Sequence, residues 1–246
     1  MTSQLRAIFF DLGGTLFSNR EIPRVNAPTL VEAGRRLGLE RGLHEIGMAY
    51  VRAAREVNAI YMRRPYYLHR DHFYDTYRVF AQSFDRDATE EFLRWFYEAQ
   101  RDAMLGGLKL RDDCAETLRA LRARRLILSI VSNIDDDYLE GMLRNLHLEV
   151  LFDHWISSQA AGSCKPDAKI FEVALQQAGC RAHEVIFVGD SRVHDIQGAG
   201  ALGMTTVLLA EDGGGSHLDD EDFEARPDHC ITRLSELIEL VEARLQ

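Results

Sequence analysis

The sequence is short of lysine, of paired cysteines and of long apolar runs, and each shortage excludes a class of protein. Among 29 basic side chains only three are lysines, Lys109, Lys165 and Lys169. The four cysteines are scattered without a C-x-x-C pair, which excludes a zinc knuckle or a disulfide framework as the organising feature. No apolar run approaches the roughly 20 residues of a membrane span.

Positive charge is scarce relative to negative charge. The formal net charge of −10 argues against a general nucleic-acid or anionic-membrane surface, so we predict neither nucleic acid nor a membrane as a partner. The first residues show no signal-peptide core, and unpaired cysteines are typical of a reducing compartment. We therefore expect a cytoplasmic protein; no pattern indicates its oligomeric state.

A helical stretch interrupts an alternation of strands and helices. Helical periodicity occupies four segments of the first half, 28–39, 43–62, 69–83 and 89–104. From about Leu108 onward, apolar strand-like runs alternate with helices, which indicates parallel strands joined by crossovers. We predict an α/β core domain at 1–16 and 107–246, and a helical cap domain at 17–106 inserted after the first strand.

Asp11 stands at the C-terminal end of the first predicted strand. An apolar run, 7–10, precedes it, and Gly13 and Gly14 then allow the backbone to turn sharply. Ligands bind at this edge of an open parallel sheet, so a carboxylate there is a candidate nucleophile or metal ligand. The alternative is a turn aspartate held by local backbone amides.

Three later segments deliver further polar groups to the ends of apolar runs, namely Ser132, Lys165 and Asp190. Two converging carboxylates repel each other unless a cation lies between them, and hard oxygen ligands suit Mg²⁺. A hydroxyl, an amide and an ammonium group could hold the outer oxygens of a phosphoryl group. The pattern predicts a phosphoryl-transfer site with magnesium as the cofactor.

These residues, in this order, resemble the four motifs of the haloacid dehalogenase (HAD) superfamily. The matching segments are Asp11-Leu12-Gly13-Gly14-Thr15-Leu16, Ser132-Asn133, Lys165-Pro166, and Gly189-Asp190-Ser191 with Asp195. The resemblance covers the whole chain, including a helical cap between the first and second motifs, as in the C1-capped subclass. It implies a Rossmann-like parallel sheet and a hydrolase.

The resemblance also implies a role for each matching residue. Asp11 would be the nucleophile that forms a phospho-aspartyl intermediate, and Asp190 would bind Mg²⁺ together with Asp11 and the backbone carbonyl of Gly13. The phosphoryl oxygens would be held by polar side chains of the second and third motifs, with support from the fourth. These are Ser132 and Lys165 with Asn133 beside them, while Asp195 supports the metal site or orients Lys165.

Gly13 departs from the family pattern. Phosphatase branches carry an acid/base aspartate at this position, and the loss of such a group costs about 10²–10⁴-fold in rate. The proton transfer could come from the cap instead, where imidazole and carboxyl groups cluster in one predicted helix. These groups are His69, Asp71, His72 and Asp75.

Three further readings compete with a phosphatase that acts on a small phosphorylated metabolite. A phosphonatase-like enzyme needs a cap lysine, and none occurs from residue 17 to 108, so only Lys109 could serve. A 2-haloacid dehalogenase could use Arg63 or Arg64 for a halide or carboxylate, although Asp190 between glycine and serine fits the magnesium branch better. A binding or regulatory protein that has lost turnover would keep every motif except the acid/base residue.

Overall fold

The computed structural model of the chain describes residues 4–210 and 225–245. Internal contacts divide the chain into a core unit, Met1–Asn19 with Lys109–Gln246, and a helical unit, Arg20–Leu108. The acidic stretch 211–224, for which the sequence predicts a solvated loop, lies outside the described residues. Within the described ranges, no helix combines the length and the apolar character needed to cross a bilayer.

Within the described residues, the core unit is built on a sheet of six parallel strands. They are β1 (Ala7–Phe10), β2 (Ile127–Ser132), β3 (His154–Ser157), β4 (Val185–Gly189), β5 (Thr205–Leu209) and β6 (His229–Ile231). The strand order is β3-β2-β1-β4-β5-β6, with every neighbouring pair parallel, which confirms the predicted α/β fold. The order changes direction between β1 and β4, and ligands bind in such sheets at the carboxyl ends of these strands.

The helical unit contains four helices, α1 (Ile22–Arg36), α2 (Leu43–Tyr61), α3 (His69–Gln82) and α4 (Glu90–Gly107). The prediction that the first helix begins at Pro28 is wrong, because α1 already begins at Ile22. Pro23 lies in the first turn, where a missing N–H costs nothing, and Pro28 is accommodated inside the helix. α1 ends before Gly38, whose φ of +69° suits a helix terminus.

Stacked aromatic rings fill the interior of the helical unit. Tyr77 and Phe96 are fully buried, and their ring centroids lie 4.0 Å apart in a stacked arrangement. The Tyr77 hydroxyl donates to Gln100, which also bonds to Tyr50, so the buried polar end of the cluster is satisfied. The large apolar area of these rings gives α3 and α4 a common core.

We expect the helical unit to lose stability in mild acid because of His72. Its Nε2 atom is buried without a hydrogen-bond partner among the described residues, and its ring packs edge-on against Tyr61 at 5.1 Å. Burial lowers the pKa of His72 to about 4, although nearby Asp75 acts in the opposite direction. As the pH falls below about 6.5, His72 gains a proton in the unfolded state but not in the folded state. The free energy of unfolding therefore falls, by about 3 kcal/mol at pH 4.

Denaturant unfolding between pH 7 and pH 4 measures this loss. Between pH 7 and pH 4, the His72→Phe variant should lose clearly less stability than the wild type. His44→Gln, a change at an exposed position of α2, is the matched control and should follow the wild type. Equal pH dependence in His72→Phe and His44→Gln would contradict the prediction.

In the described part of the core unit, the α-helices are α5 (Cys114–Ala123), α6 (Asp136–Asn145), α7 (Ser158–Ala161), α8 (Ala168–Ala178), α9 (Gly198–Ala201) and α10 (Leu237–Leu245). Asp167 caps α8 by accepting a hydrogen bond from the Lys169 N–H. The sequence predicts one helix from about 193 to 201, but a π-helical turn, Arg192–Gln197, precedes the short α9. Turns of this kind occur frequently at functional sites.

Candidate active site

The carboxyl ends of three adjacent strands carry the predicted site residues. Asp11 directly follows β1, Ser132 is the last residue of β2, and Asp190 directly follows β4. β1 lies between the other two strands, and the Asp11 N–H extends its ladder by donating to the Val188 carbonyl at 2.9 Å. The structure thus brings the first, second and fourth motifs to one edge of the sheet.

A tight turn after β1 holds Asp11 beside Asp190. The Leu16 N–H closes this turn on the Leu12 carbonyl at 2.9 Å. Gly14 has a φ of +80°, and a Cβ at this position would lie only 2.0 Å from the Asp190 Oδ2 atom. Only glycine suits both this backbone conformation and this close approach.

Lys165 lies between two buried carboxylates. Its Nζ donates to Asp11 Oδ1 and to Asp195 Oδ1, each at 2.6 Å. The exposed fractions are 7% for Asp11, 3% for Lys165 and 1% for Asp195, so water hardly screens these contacts. Burial acts to lower the pKa of Lys165, but the two carboxylates outweigh it and raise that pKa, so the ammonium stays charged.

The π-helical turn after β4 positions Asp195. The second oxygen of Asp195 accepts a hydrogen bond from the Ser191 N–H at 3.0 Å, which ties the carboxylate to the end of β4. A Cβ at Gly189 would lie 2.2 Å from this oxygen, so glycine leaves the space that Asp195 occupies. Two roles were predicted for Asp195, supporting the metal site or orienting Lys165. This geometry favours the second role.

The acidic residues fit a divalent cation. Asp11, Asp190 and Asp195 can each offer one oxygen such that all three oxygens lie within 4.8 Å of one another. When ionised, these three carboxylates share one ammonium group, Lys165, so two negative charges remain uncompensated within this set. A single Mg²⁺ ion has the charge and the ligand preference to balance them.

Asp11 and Asp190 have raised pKa values, as expected for carboxylates whose negative charge is only partly compensated. Burial raises the pKa of Asp11 to about 6, although Lys165 opposes the rise. Burial also raises the pKa of Asp190 well above its usual value, and the Asp11 and Asp195 carboxylates add to the effect. A bound cation would favour the ionised form of both acids.

Asn133 fixes the backbone of Lys165. Its Nδ2 donates to the Lys165 carbonyl at 3.0 Å, and its Oδ1 accepts from the Lys165 N–H at 2.6 Å. The Asn133 side chain was predicted to lie beside the phosphoryl group. Both its N–H donor and its oxygen acceptor are hydrogen-bonded to the backbone of Lys165. Ser132 is 5% exposed at the end of β2, and Gly13 lies in the turn after β1.

Three side chains at this edge were missed by sequence reasoning. Thr15 Oγ1 lies 3.4 Å from Asp11 Oδ2, and Asn19 Nδ2 lies 3.3 Å from Asp190 Oδ2. Thr15 belongs to the first motif, so its position in that motif was an available signal. Arg111 contacts the turn from a segment 96 residues further along the chain, and no local pattern pointed to it.

The four acid/base candidates of the predicted cap all lie on α3 or at its start. Among them Asp75 is already engaged within the helical unit, because it accepts hydrogen bonds from the Tyr61 hydroxyl at 2.7 Å and from Arg78 at 2.9 Å. His72 has a pKa of about 4 and is therefore neutral at pH 7. A neutral imidazole can accept a proton, but it is a weak proton donor.

Replacing Lys165 by methionine is expected to destabilise the core unit strongly. The change keeps the length of the side chain but leaves Asp11 and Asp195 buried without their shared ammonium group. The removal of one partner from a buried ion pair costs about 3–5 kcal/mol in the free energy of unfolding. Urea denaturation in the presence of a chelator measures it. Lys169→Met, at an exposed position, is the matched control, and an equal loss in both variants would contradict the expectation.

A family model for haloacid dehalogenase-like hydrolases matches residues 5–203. The chain therefore belongs to the haloacid dehalogenase-like hydrolases, as the motifs predicted. It is 40% identical over 131 residues to the mouse haloacid dehalogenase-like hydrolase domain-containing protein 3, a match that covers 52% of this chain and 51% of that protein. The chain thus spans about half the length of this curated relative.

Two further relatives have different activities in their names. The ribulose-1,5-bisphosphate 5-phosphatase of Halopiger xanaduensis is 32% identical over 147 residues, 58% of this chain and 62% of that protein. The (S)-2-haloacid dehalogenase 4A of Burkholderia cepacia is 33% identical over 131 residues, 53% of this chain and 54% of that protein. One of these relatives is thus named for a phosphate-ester substrate and the other for a haloacid substrate.

Solved structures agree with the fold. A HAD hydrolase from Bacillus subtilis superposes with a TM-score of 0.77 at 17% identity, over 98% of this chain and all of the other. A HAD phosphatase from Thermococcus onnurineus superposes with a TM-score of 0.68 at 25% identity, over 96% of this chain and 98% of the other. The similarity extends over nearly the whole chain and therefore includes both units.

Proposed function

We propose that this hydrolase is a magnesium-dependent phosphatase that acts on a small phosphorylated metabolite, with Asp11 as its nucleophile. The observation that carries the proposal is the cluster of Asp11, Asp190 and Asp195 around a single lysine at the ends of β1 and β4. Attack by a carboxylate on a carbon–halogen bond requires no divalent cation. Attack on an anionic phosphate ester does benefit from one, because nucleophile and substrate carry the same charge.

In the proposed reaction, an oxygen of Asp11 forms a bond to phosphorus while the bond from phosphorus to the ester oxygen breaks. Lys165 holds Oδ1, so Oδ2 is the oxygen that we assign to the attack. The alcohol leaves with the bonding electrons and takes a proton from the solvent or from a donor group. Water then attacks the phospho-aspartyl group, which releases phosphate and restores the Asp11 carboxylate.

Lys165 and Ser132 are the groups that we assign to the phosphoryl oxygens. An ammonium group has three N–H donors, and Asp11 and Asp195 occupy two of them, which leaves one for an oxygen of the substrate. Asp195 and Asn133 orient this lysine through its side chain and its backbone. Charge that develops on the phosphoryl oxygens would meet a preorganised donor.

Asp11, Asp190 and the Gly13 carbonyl are the ligands that we assign to the magnesium ion. When bound, the ion neutralises part of the phosphate charge and lets a carboxylate approach phosphorus. The uncompensated charge of the cluster and the raised pKa values of Asp11 and Asp190 support this assignment. The phosphatase relative from Halopiger xanaduensis supports a phosphorylated small molecule as substrate.

Dehalogenation of a 2-haloacid is the second candidate, because the Burkholderia cepacia relative is a haloacid dehalogenase by name. In that reaction Asp11 would attack carbon and a halide ion would leave, so the missing acid/base group at Gly13 would not matter. Asp190 argues against it, since a second carboxylate beside the nucleophile would repel the carboxylate of a haloacid.

A release assay separates the two candidates. Phosphate release from a panel of sugar phosphates and aryl phosphates is measured with Mg²⁺ and with a chelator, and halide release from 2-chloropropionate is measured in parallel. We expect phosphate release that the chelator abolishes. Halide release that persists in the chelator, without phosphate release, would favour the dehalogenase, and the absence of both would favour a protein that has lost turnover.

A further inference from the structure

Arg111 holds three consecutive carbonyl groups of the turn that carries the nucleophile. Its Nε donates to the Thr15 carbonyl at 2.9 Å, and its Nη2 donates to the Gly14 carbonyl at 2.5 Å. Its own backbone N–H donates to the Leu16 carbonyl at 2.9 Å. Next to it, Leu110 forms an antiparallel bridge with Phe17, so the 110–111 segment runs along the whole second half of the turn.

A guanidinium group is suited to this task. Gly14 and Thr15 are buried, and a buried carbonyl that loses its donor costs about 1–3 kcal/mol. The planar fork of arginine can satisfy two such carbonyls at once in a fixed geometry, whereas a lysine offers a single point charge. Arg111 therefore fixes the peptide planes of this turn more rigidly than another cationic side chain could.

The two residues held by the fork are those that touch the site carboxylates. Gly14 packs against Asp190 Oδ2, and the Thr15 hydroxyl lies 3.4 Å from Asp11 Oδ2. Both contacts depend on where the backbone of the turn lies, because Gly14 has no side chain to adjust and Thr15 is fully buried. A shift of the turn would move the surroundings of both acids together.

We propose that Arg111 is a positioning residue for the active site. By holding the Gly14 and Thr15 carbonyls, it sets the distance of the turn from Asp190 and the orientation of Asp11 for attack. The inference rests on the proposed phosphatase function, in which these two carboxylates act as metal ligands and one of them as nucleophile. No contact of Arg111 with substrate is required.

Arg111→Lys and Arg111→Ala test the proposal, with Arg122→Lys as the matched control. Arg122 also donates to a backbone carbonyl of the core unit, that of Leu151 at 2.9 Å. It belongs to α5, and among the described residues its hydrogen bonds go to Leu151 and Asp153, neither of which is a site residue. With p-nitrophenyl phosphate and Mg²⁺, we expect kcat of Arg111→Lys to fall by about 10–100-fold, because small misplacements of reacting groups have effects of this size. The KM should change little.

Two readouts separate positioning from a loss of stability. Mg²⁺ affinity, measured by titration calorimetry, should weaken several-fold in Arg111→Lys and stay at the wild-type value in Arg122→Lys. Added guanidinium ion should restore part of kcat in Arg111→Ala and have no such effect on the wild type. Equal kcat and equal Mg²⁺ affinity in Arg111→Lys and Arg122→Lys would overturn the proposal.

The same series distinguishes a failure of the proposed function. A wild-type protein that neither binds Mg²⁺ nor hydrolyses any phosphate ester would contradict the phosphatase assignment itself. In that case amide hydrogen exchange of residues 14–16 still decides the role of Arg111. Faster exchange there in Arg111→Lys than in Arg122→Lys would support a positioned turn, and unchanged exchange would refute it.

Discussion

Replacing Asp11 by asparagine is expected to abolish phosphate release, with a fall in kcat of about 10⁴-fold or more, because the loss of a nucleophile can remove nearly all chemical catalysis. Asparagine has the same shape and can still accept the hydrogen bond from Lys165, but its amide oxygen is a poor nucleophile. Steady-state phosphate release with Mg²⁺ measures the loss. Acid quenching followed by mass spectrometry should detect a phosphorylated peptide that contains residue 11 in the wild type alone.

The stability of Asp11→Asn separates lost chemistry from lost folding. Burial makes the Asp11 carboxylate costly to ionise, so an uncharged replacement should not lower the free energy of unfolding at pH 7. Asp112→Asn, an exposed change in the same unit, should retain full activity and serves as the control. Wild-type turnover in Asp11→Asn would eliminate covalent catalysis by this residue.

The placement of Asp11, Ser132 and Asp190 could be predicted because it depends on strand ends. Each follows a run of apolar residues long enough to be a buried strand, and parallel strands end at the same edge of a sheet. For Lys165 the same reasoning was wrong in its detail, since this residue lies on a loop before α8 and not at the end of a strand. Its place at the site followed from the family resemblance. The positive charge of Lys165, which complements the carboxylates of the site, was the one additional indication of its place.

Other features depend on tertiary contacts that no local pattern encodes. Arg111 reaches the turn across 96 residues of sequence, and Asn19 contacts an aspartate 171 residues away. The π-helical turn that carries Asp195 is only six residues long, so its sequence pattern cannot be distinguished from that of an ordinary α-helix. α1 begins six residues before the predicted start at residue 28, and it accommodates both Pro23 and Pro28.

Gly13→Asp is expected to raise the turnover of phosphate esters with poor leaving groups by about 10²–10⁴-fold, which is the usual contribution of general acid/base catalysis. The structure has room for this side chain. A Cβ at Gly13 would meet only the Phe17 ring at 3.5 Å and Asn19 Oδ1 at 3.8 Å, which are ordinary contacts. The new carboxyl group would extend from the turn that already carries Asp11, two residues away.

Two neighbouring substitutions make the result specific. Gly13→Ala adds the Cβ without the carboxyl group and should leave turnover at the wild-type level. Gly14→Ala should lower both stability and activity, because φ is +80° there and the added Cβ would lie 2.0 Å from Asp190 Oδ2. A gain in Gly13→Asp on alkyl phosphates, with little gain on p-nitrophenyl phosphate, would show that the wild-type site lacks a proton donor for the leaving group. Equal wild-type rates on both substrates, unchanged in Gly13→Asp, would show instead that another group already supplies the proton.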